Sequence, residues 1–141
     1  MSSQQIGVCI LVFDKTIKKV LLGKRKNSYK AGMYGIPGGK LELKESVLNC
    51  GKRELAEETG LQANSLKYLG VIPELQEVNN FIHFAFVCTD YSGKPKLMEP
   101  EKCESWDWYS LNKLPEYVLP GHKAAINLYK NPDSINLIDL C

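Results

Sequence analysis

No stretch of this 141-residue chain approaches the roughly 18 consecutive apolar residues that would mark a membrane-spanning helix. The opening run from Met1 to Ile6 has no basic segment followed by a small-residue cleavage site, so the expectation is a cytoplasmic protein rather than an exported one. The five cysteines, Cys9, Cys50, Cys88, Cys103 and Cys141, are an odd number with no CxxC pair. That pattern fits neither a disulfide framework nor a zinc site. Charge of one sign is scarce too. A formal net charge of +2 is too small for a track along a nucleic acid polymer.

What is present is an ordinary globular composition. Apolar residues make up 44% and charged residues 24%, which suits one domain over residues 1–141 with a proper core. One local basic run stands out, Lys24, Arg25 and Lys26, with Lys30 and Lys40 farther on. It reads either as a solvated hairpin end or as a patch that faces phosphate.

Residues 6–13, rich in Ile, Val and Leu, predict a buried strand, and residues 19–23 its returning partner across an Asp14-Lys15-Thr16 turn. Residues 24–35 read as a polar connection, and Pro37-Gly38-Gly39 as a turn. Residues 46–59 predict a helix that starts at Glu45 and Ser46 and ends at Gly60, a residue suited to the left-handed position after a last turn. Leu48 and Leu55, with Cys50, supply its apolar stripe. Gly51 costs about 1 kcal/mol against alanine inside a helix, which implies a close packing contact there. Strands follow at residues 66–72 and 81–89, separated by a polar connection over 73–80. Residues 91–104 read as a long loop, 105–110 as a short strand, and 123–130 as a closing amphipathic helix after Pro120-Gly121. Paired strands around one marked helix, with a second helix at the end, predict an α/β sandwich on a mixed sheet.

The chemistry sits in the first helix. Glu54, Glu57 and Glu58 stand at i, i+3 and i+4, so their carboxylates project from one face and repel one another. A solvated acidic face is the commonplace reading of three such glutamates. Arg53 reaches Glu57 at i+4, yet one cation against four acids, Glu45 included, leaves negative charge in excess. A hard divalent cation answers that excess. Carboxylate oxygens without nearby His or Cys favour Mg²⁺, with Mn²⁺ as substitute, over zinc.

The whole segment from Gly39 through Glu45, Arg53, Glu54, Leu55, Glu57, Glu58 and Gly60 to Leu61 fits the pattern G-x5-E-x7-R-E-U-x-E-E-x-G-U, U being aliphatic. Its seven identities would coincide by chance in fewer than about one chain in a million of this length. The chain therefore resembles the MutT/Nudix hydrolase family, and the likeness covers nearly its whole length, including Gly35-Ile36-Pro37-Gly38-Gly39 before the box.

The resemblance implies an αβα sandwich with a central mixed sheet and a catalytic loop-helix-loop. It implies metal binding by Glu54, Glu57 and Glu58, helped by the carbonyl of Gly38. Arg53 would orient the carboxylates, Glu45 would support them from the helix start, and Lys40 would reach a phosphate. The general base is left among Glu57, Glu58 and two acids of the loop before Trp106, Glu101 and Glu104.

The loop and strand at residues 98–108, followed by Leu114-Pro115, resemble a subgroup acting on thiopurine and oxidised-guanine nucleotides. This implies a nucleoside triphosphate, purine or oxidised purine, split into monophosphate and pyrophosphate. Where ADP-ribose-specific relatives show proline, Gln76, Glu77, Val78 and Asn79 stand instead. A base needs an apolar surface to stack on and polar groups at its edge, and Tyr34, Leu41, His83, Phe84 and Trp106 are the candidates. The alternatives are hydrolysis of another nucleoside diphosphate derivative, such as a nucleotide sugar, and a non-catalytic nucleotide-binding regulatory module. Many relatives are homodimers, so a homodimer is expected; a membrane is not.

Overall fold

Every residue from Val8 to Phe13 is buried, as in a strand covered on both faces. In the computed structural model, which describes residues 3–27, 30–75 and 79–134, this run lies in β1 (Ser3–Val12). It is followed by β2 (Lys19–Arg25), β3 (Tyr34–Gly35), β4 (Gly38–Lys40) and the helix α1 (Val47–Thr59). Then come β5 (Gln62–Leu75), β6 (Asn79–Ser92), β7 (Cys103–Ser110) and the helix α2 (Pro120–Lys130).

One sheet has the order β4-β1-β6-β5 and the other β3-β2-β7, with β1 parallel to β6 and the remaining pairs antiparallel. Alternate residues of β1 separate the two cores. Val8, Ile10 and Val12 pack with Cys50 and Leu55 of α1, whereas Cys9, Leu11 and Phe13 pack with Ala125 and Ile126 of α2. The result is the expected helix-sheet-helix sandwich. No helix among the described residues is long and apolar enough to cross a membrane.

Several boundaries differ from expectation. The Pro37-Gly38-Gly39 turn is in fact the approach to a strand, for Gly38 and Gly39 pair with Cys9 and Val8 of β1. A side chain on Gly38 would collide with the Val8 carbonyl, so only glycine lets the backbone come this close. The polar connection at 73–80 shrinks because β5 continues through Pro73, which an edge strand tolerates. Residues 76–78 of that connection lie outside the described residues. The loop expected at 91–104 loses both ends to β6 and β7, and α2 starts three residues early, with Pro120 in its first turn.

Leu55 is fully buried, worth about 1.5–3 kcal/mol, but Leu48 is 40% exposed and does not belong to the stripe. Gly51 takes its place on the core face, where an added Cβ would stand 2.8 Å from Leu66 Cδ1. The close contact implied by that glycine is therefore with β5.

Candidate active site

Ser46 caps α1 by accepting the Asn49 N–H at 3.1 Å, and Gly60, at φ 76°, closes the other end by donating to the Ala56 carbonyl at 2.9 Å. Between the caps, Cys50, Gly51, Leu55 and Thr59 take the core face. Glu54 and Glu58 are left half-buried along the flank, and Glu57 is exposed. The floor beneath them is β4. The Glu54 carboxylate lies over Gly39, where any side chain would strike it, and the Gly38 N–H donates to Glu58 Oε1 at 3.0 Å.

Arg53 is the hub of this cluster. It forks onto Glu45 through Nε at 2.6 Å and Nη2 at 3.0 Å, and its Nη1 donates to Glu54 at 2.9 Å and Glu57 at 3.2 Å. Nη2 also donates to the Lys40 carbonyl at 3.1 Å, which ties α1 to β4. A planar guanidinium makes such multiple contacts where a lysine could not. Hydrogen bonding from Arg53 holds the Glu45 carboxyl down at about 2. Burial, by contrast, raises Glu54, against the pull of Arg53. Burial also pushes Glu58 up to about 8; the Gly38 N–H opposes this, and the charges of Glu54 and Glu99 reinforce it.

Glu99, not among the expected site residues, adds its charge to the cluster. The Lys96 N–H donates to the Thr59 carbonyl at 2.8 Å and Met98 packs beside Gly60, so this loop folds over the end of α1. Glu99 thereby acts on both Glu54 and Glu58. Of the two acids expected from this loop, Glu101 is exposed and Glu104 pairs with Lys24 at 3.4 Å, while Glu99 pairs with Lys102 at 3.5 Å. The backbone bond to Thr59 brings this stretch of the loop to the end of α1, and no residue pattern announces it.

The proposed base contacts do not converge on one pocket. Leu41, Phe84 and Trp106 pack on the α1 face, while Tyr34 packs into the core on the α2 face. His83 is on that second face as well, its ring 5.8 Å from that of His122, and its Nε2 lies 2.9 Å from Glu74. Its Nδ1 is buried without a hydrogen-bond partner among the described residues. Trp106 directs its indole N–H at the carbonyl of Glu58, at 3.1 Å. The Lys40 side chain is exposed beside the cluster.

The family model for the NUDIX domain matches residues 3–130. The chain belongs to the Nudix hydrolase family. The oxidized purine nucleoside triphosphate hydrolase of Mus musculus is 30% identical to it over 122 residues, 82% of this chain and 72% of that protein. The NAD-capped RNA hydrolase NudC of Vibrio atlanticus is 29% identical over 127 residues, 90% of this chain. The chain spans only 45% of that relative's length. A MutT NUDIX hydrolase from Burkholderia pseudomallei superposes with a TM-score of 0.83 at 26% identity, covering 88% of this chain and 96% of that one.

Nudix hydrolases generally use divalent metal ions. Among the described residues, no three acidic, histidine or cysteine side chains stand together closely enough to grip an ion as they are oriented. Arg53 and the Gly38 N–H hold the box carboxylates individually. The chemistry of the set still fits a hard divalent cation: the side-chain ligands are carboxylate oxygens, and Glu54 and Glu58 stay raised by burial and mutual repulsion despite Arg53 and Arg25.

Proposed function

We propose that this Nudix hydrolase splits nucleoside triphosphates, purine or oxidised-purine ones above all, into monophosphate and pyrophosphate, using Mg²⁺ with Mn²⁺ as substitute. The observation that carries the reading is the excess of negative charge on the flank of α1. Glu54 and Glu57 share Arg53, Glu58 takes the Gly38 N–H and the charge of Arg25, and Glu99 adds a further acid. Glu54, Glu57 and Glu58, with the Gly38 carbonyl, would hold the metal. When bound, the metal supplies neutralisation of the diphosphate and a lower pKa for attacking water.

The protein's own groups supply the rest. Arg53 anchors the carboxylates through Glu45 and the Lys40 carbonyl. A glutamate takes the proton from the attacking water. Glu57, Glu58 and Glu99 are the candidates, Glu99 replacing Glu101 and Glu104 as the acid of the loop. Lys40 is free to reach a phosphate from the edge of the site. The base contacts form two sets, Tyr34 with His83 and Leu41 with Phe84, and a rise in KM for Tyr34→Ala or for Phe84→Ala identifies the face that receives the base. A homodimer belongs to the same reading and is tested by sedimentation.

A hydrolase of other nucleoside diphosphate derivatives is the second reading, favoured by the match to NAD-capped RNA hydrolases over 90% of this chain. Retention of all the box carboxylates speaks against a purely regulatory module. A panel of nucleoside triphosphates, nucleotide sugars and dinucleotides, assayed with Mg²⁺ for pyrophosphate and phosphate release, tests the proposal. Pyrophosphate from triphosphates is the expected outcome. Turnover confined to nucleotide sugars or dinucleotides would replace it with the second reading, and tight binding without turnover would leave only the module.

A further inference from the structure

Trp106 entered as a surface for a base to stack on, but its contacts are with the catalytic helix. The last carbonyls of any helix lack partners within it. In α1 they are taken from outside, Thr59 by the Lys96 N–H at 2.8 Å and Glu58 by the Trp106 indole at 3.1 Å. The indole reaches that carbonyl because β2 carries no side chain beneath it. Gly23 pairs with Trp106, and a Cβ on Gly23 would stand 2.8 Å from the ring carbons Cε3 and Cζ3 and 2.9 Å from Cys103 Sγ. Glu58 is thus gripped at two points, its carbonyl by β7 and its carboxylate by the Gly38 N–H of β4.

We propose that Trp106, seated on Gly23, is a positioning residue that holds the Glu58 main chain so that its carboxylate faces the metal site. This rests on the reading of α1 as a metal-binding helix. The bond runs through the backbone, so the identity of the nucleotide base does not enter it. A stacking platform and a positioning residue therefore differ in what they change. The platform sets KM for the nucleotide, and the positioning residue sets affinity for the metal.

The test compares wild type with Trp106→Phe, which keeps a ring and removes the donor, and with Gly23→Ala, which displaces the indole. Mn²⁺ binding is measured by calorimetry without nucleotide, and kcat and KM with a nucleoside triphosphate at saturating Mg²⁺. Both variants should bind Mn²⁺ about two- to tenfold more weakly, the equivalent of one ordinary hydrogen bond, with KM unchanged. Wild-type Mn²⁺ affinity in Trp106→Phe overturns the proposal, whether KM rises, as for a stacking platform, or nothing changes. If Trp106→Phe does not fold, the wild-type indole signal decides in NMR, assigned by its persistence in Trp108→Phe. Slow exchange of that proton and a shift on adding Mg²⁺ support the bond to Glu58, and fast exchange without a shift refutes it. Wild type that binds no Mn²⁺ would remove the metal reading itself, a separate result from an unaffected variant.

Discussion

On one face of the sheet, Arg53 serves Glu42, Glu45, Glu54 and Glu57, and Glu58 lies beside them with its carboxyl raised. On the opposite face, His83 meets Glu74 at 2.9 Å, and His122 Nδ1 accepts the Ile36 N–H at 2.9 Å. In the second cluster His83 Nε2 and His122 Nδ1 are paired while His83 Nδ1 is not, among the described residues, and burial, with His83 and Arg25 nearby, keeps His122 neutral by pushing it down to about 3. The first cluster cannot be neutralised by its own members. Folding alone explains a cluster without surplus charge, whereas a surplus of carboxylates implies a partner from outside the chain.

The largest effect expected is at Glu58. Glu58→Gln keeps the shape and removes the group that can ionise to bind a metal or take a proton, and should lower kcat by about 10²–10⁴-fold with the fold intact, as steady-state kinetics and circular dichroism would show. Wild-type turnover would make the acidic cluster as structural as the histidine one. Next comes Arg53→Lys. It cannot fork onto Glu45 while reaching Glu54, and should cost about 1–3 kcal/mol in denaturant unfolding, since half-buried carboxylates lose their donors.

The two faces should also answer pH with opposite signs. A carboxyl raised from 4.5 to about 8 binds its proton more tightly when folded. Metal-free stability therefore falls as pH rises through that range, and Glu58→Gln should remove the part of the fall seen above pH 6.5. An imidazole lowered from 6.5 to about 3 binds its proton more tightly when unfolded. Its contribution is lost as pH falls through that range, and His122→Phe should lessen the fall in stability seen below pH 4.5. Thermal melts across pH read both, and slopes of the same sign would break the contrast. The smallest effect is expected within α1 at Leu48→Ala, no more than about 0.5 kcal/mol, against about 2–5 for the buried Leu55→Ala.

Much of this was readable from residues alone. The helix at 46–59, its Ser46 start and its Gly60 end follow from local hydrogen bonding and backbone freedom, and the glutamate spacing follows from helix periodicity. The strand at Pro73 was not readable, because whether proline is tolerated depends on that strand lying at the sheet edge. Nor was the split of Tyr34 and His83 from Leu41, Phe84 and Trp106, which depends on the face each strand position presents after pairing.

By itself, then, the sequence determined the family, the sandwich and the row of carboxylates on one helix, because each is set by spacing within a short stretch of chain. Only the tertiary structure decided that Gly38 binds Glu58, that the loop carrying Glu99 lies against the end of α1, and that the Trp106 indole meets the Glu58 carbonyl. Those contacts join segments from 20 to 48 residues apart, or bring a distant loop onto the helix, and chain spacing carries no record of them until the strands have paired.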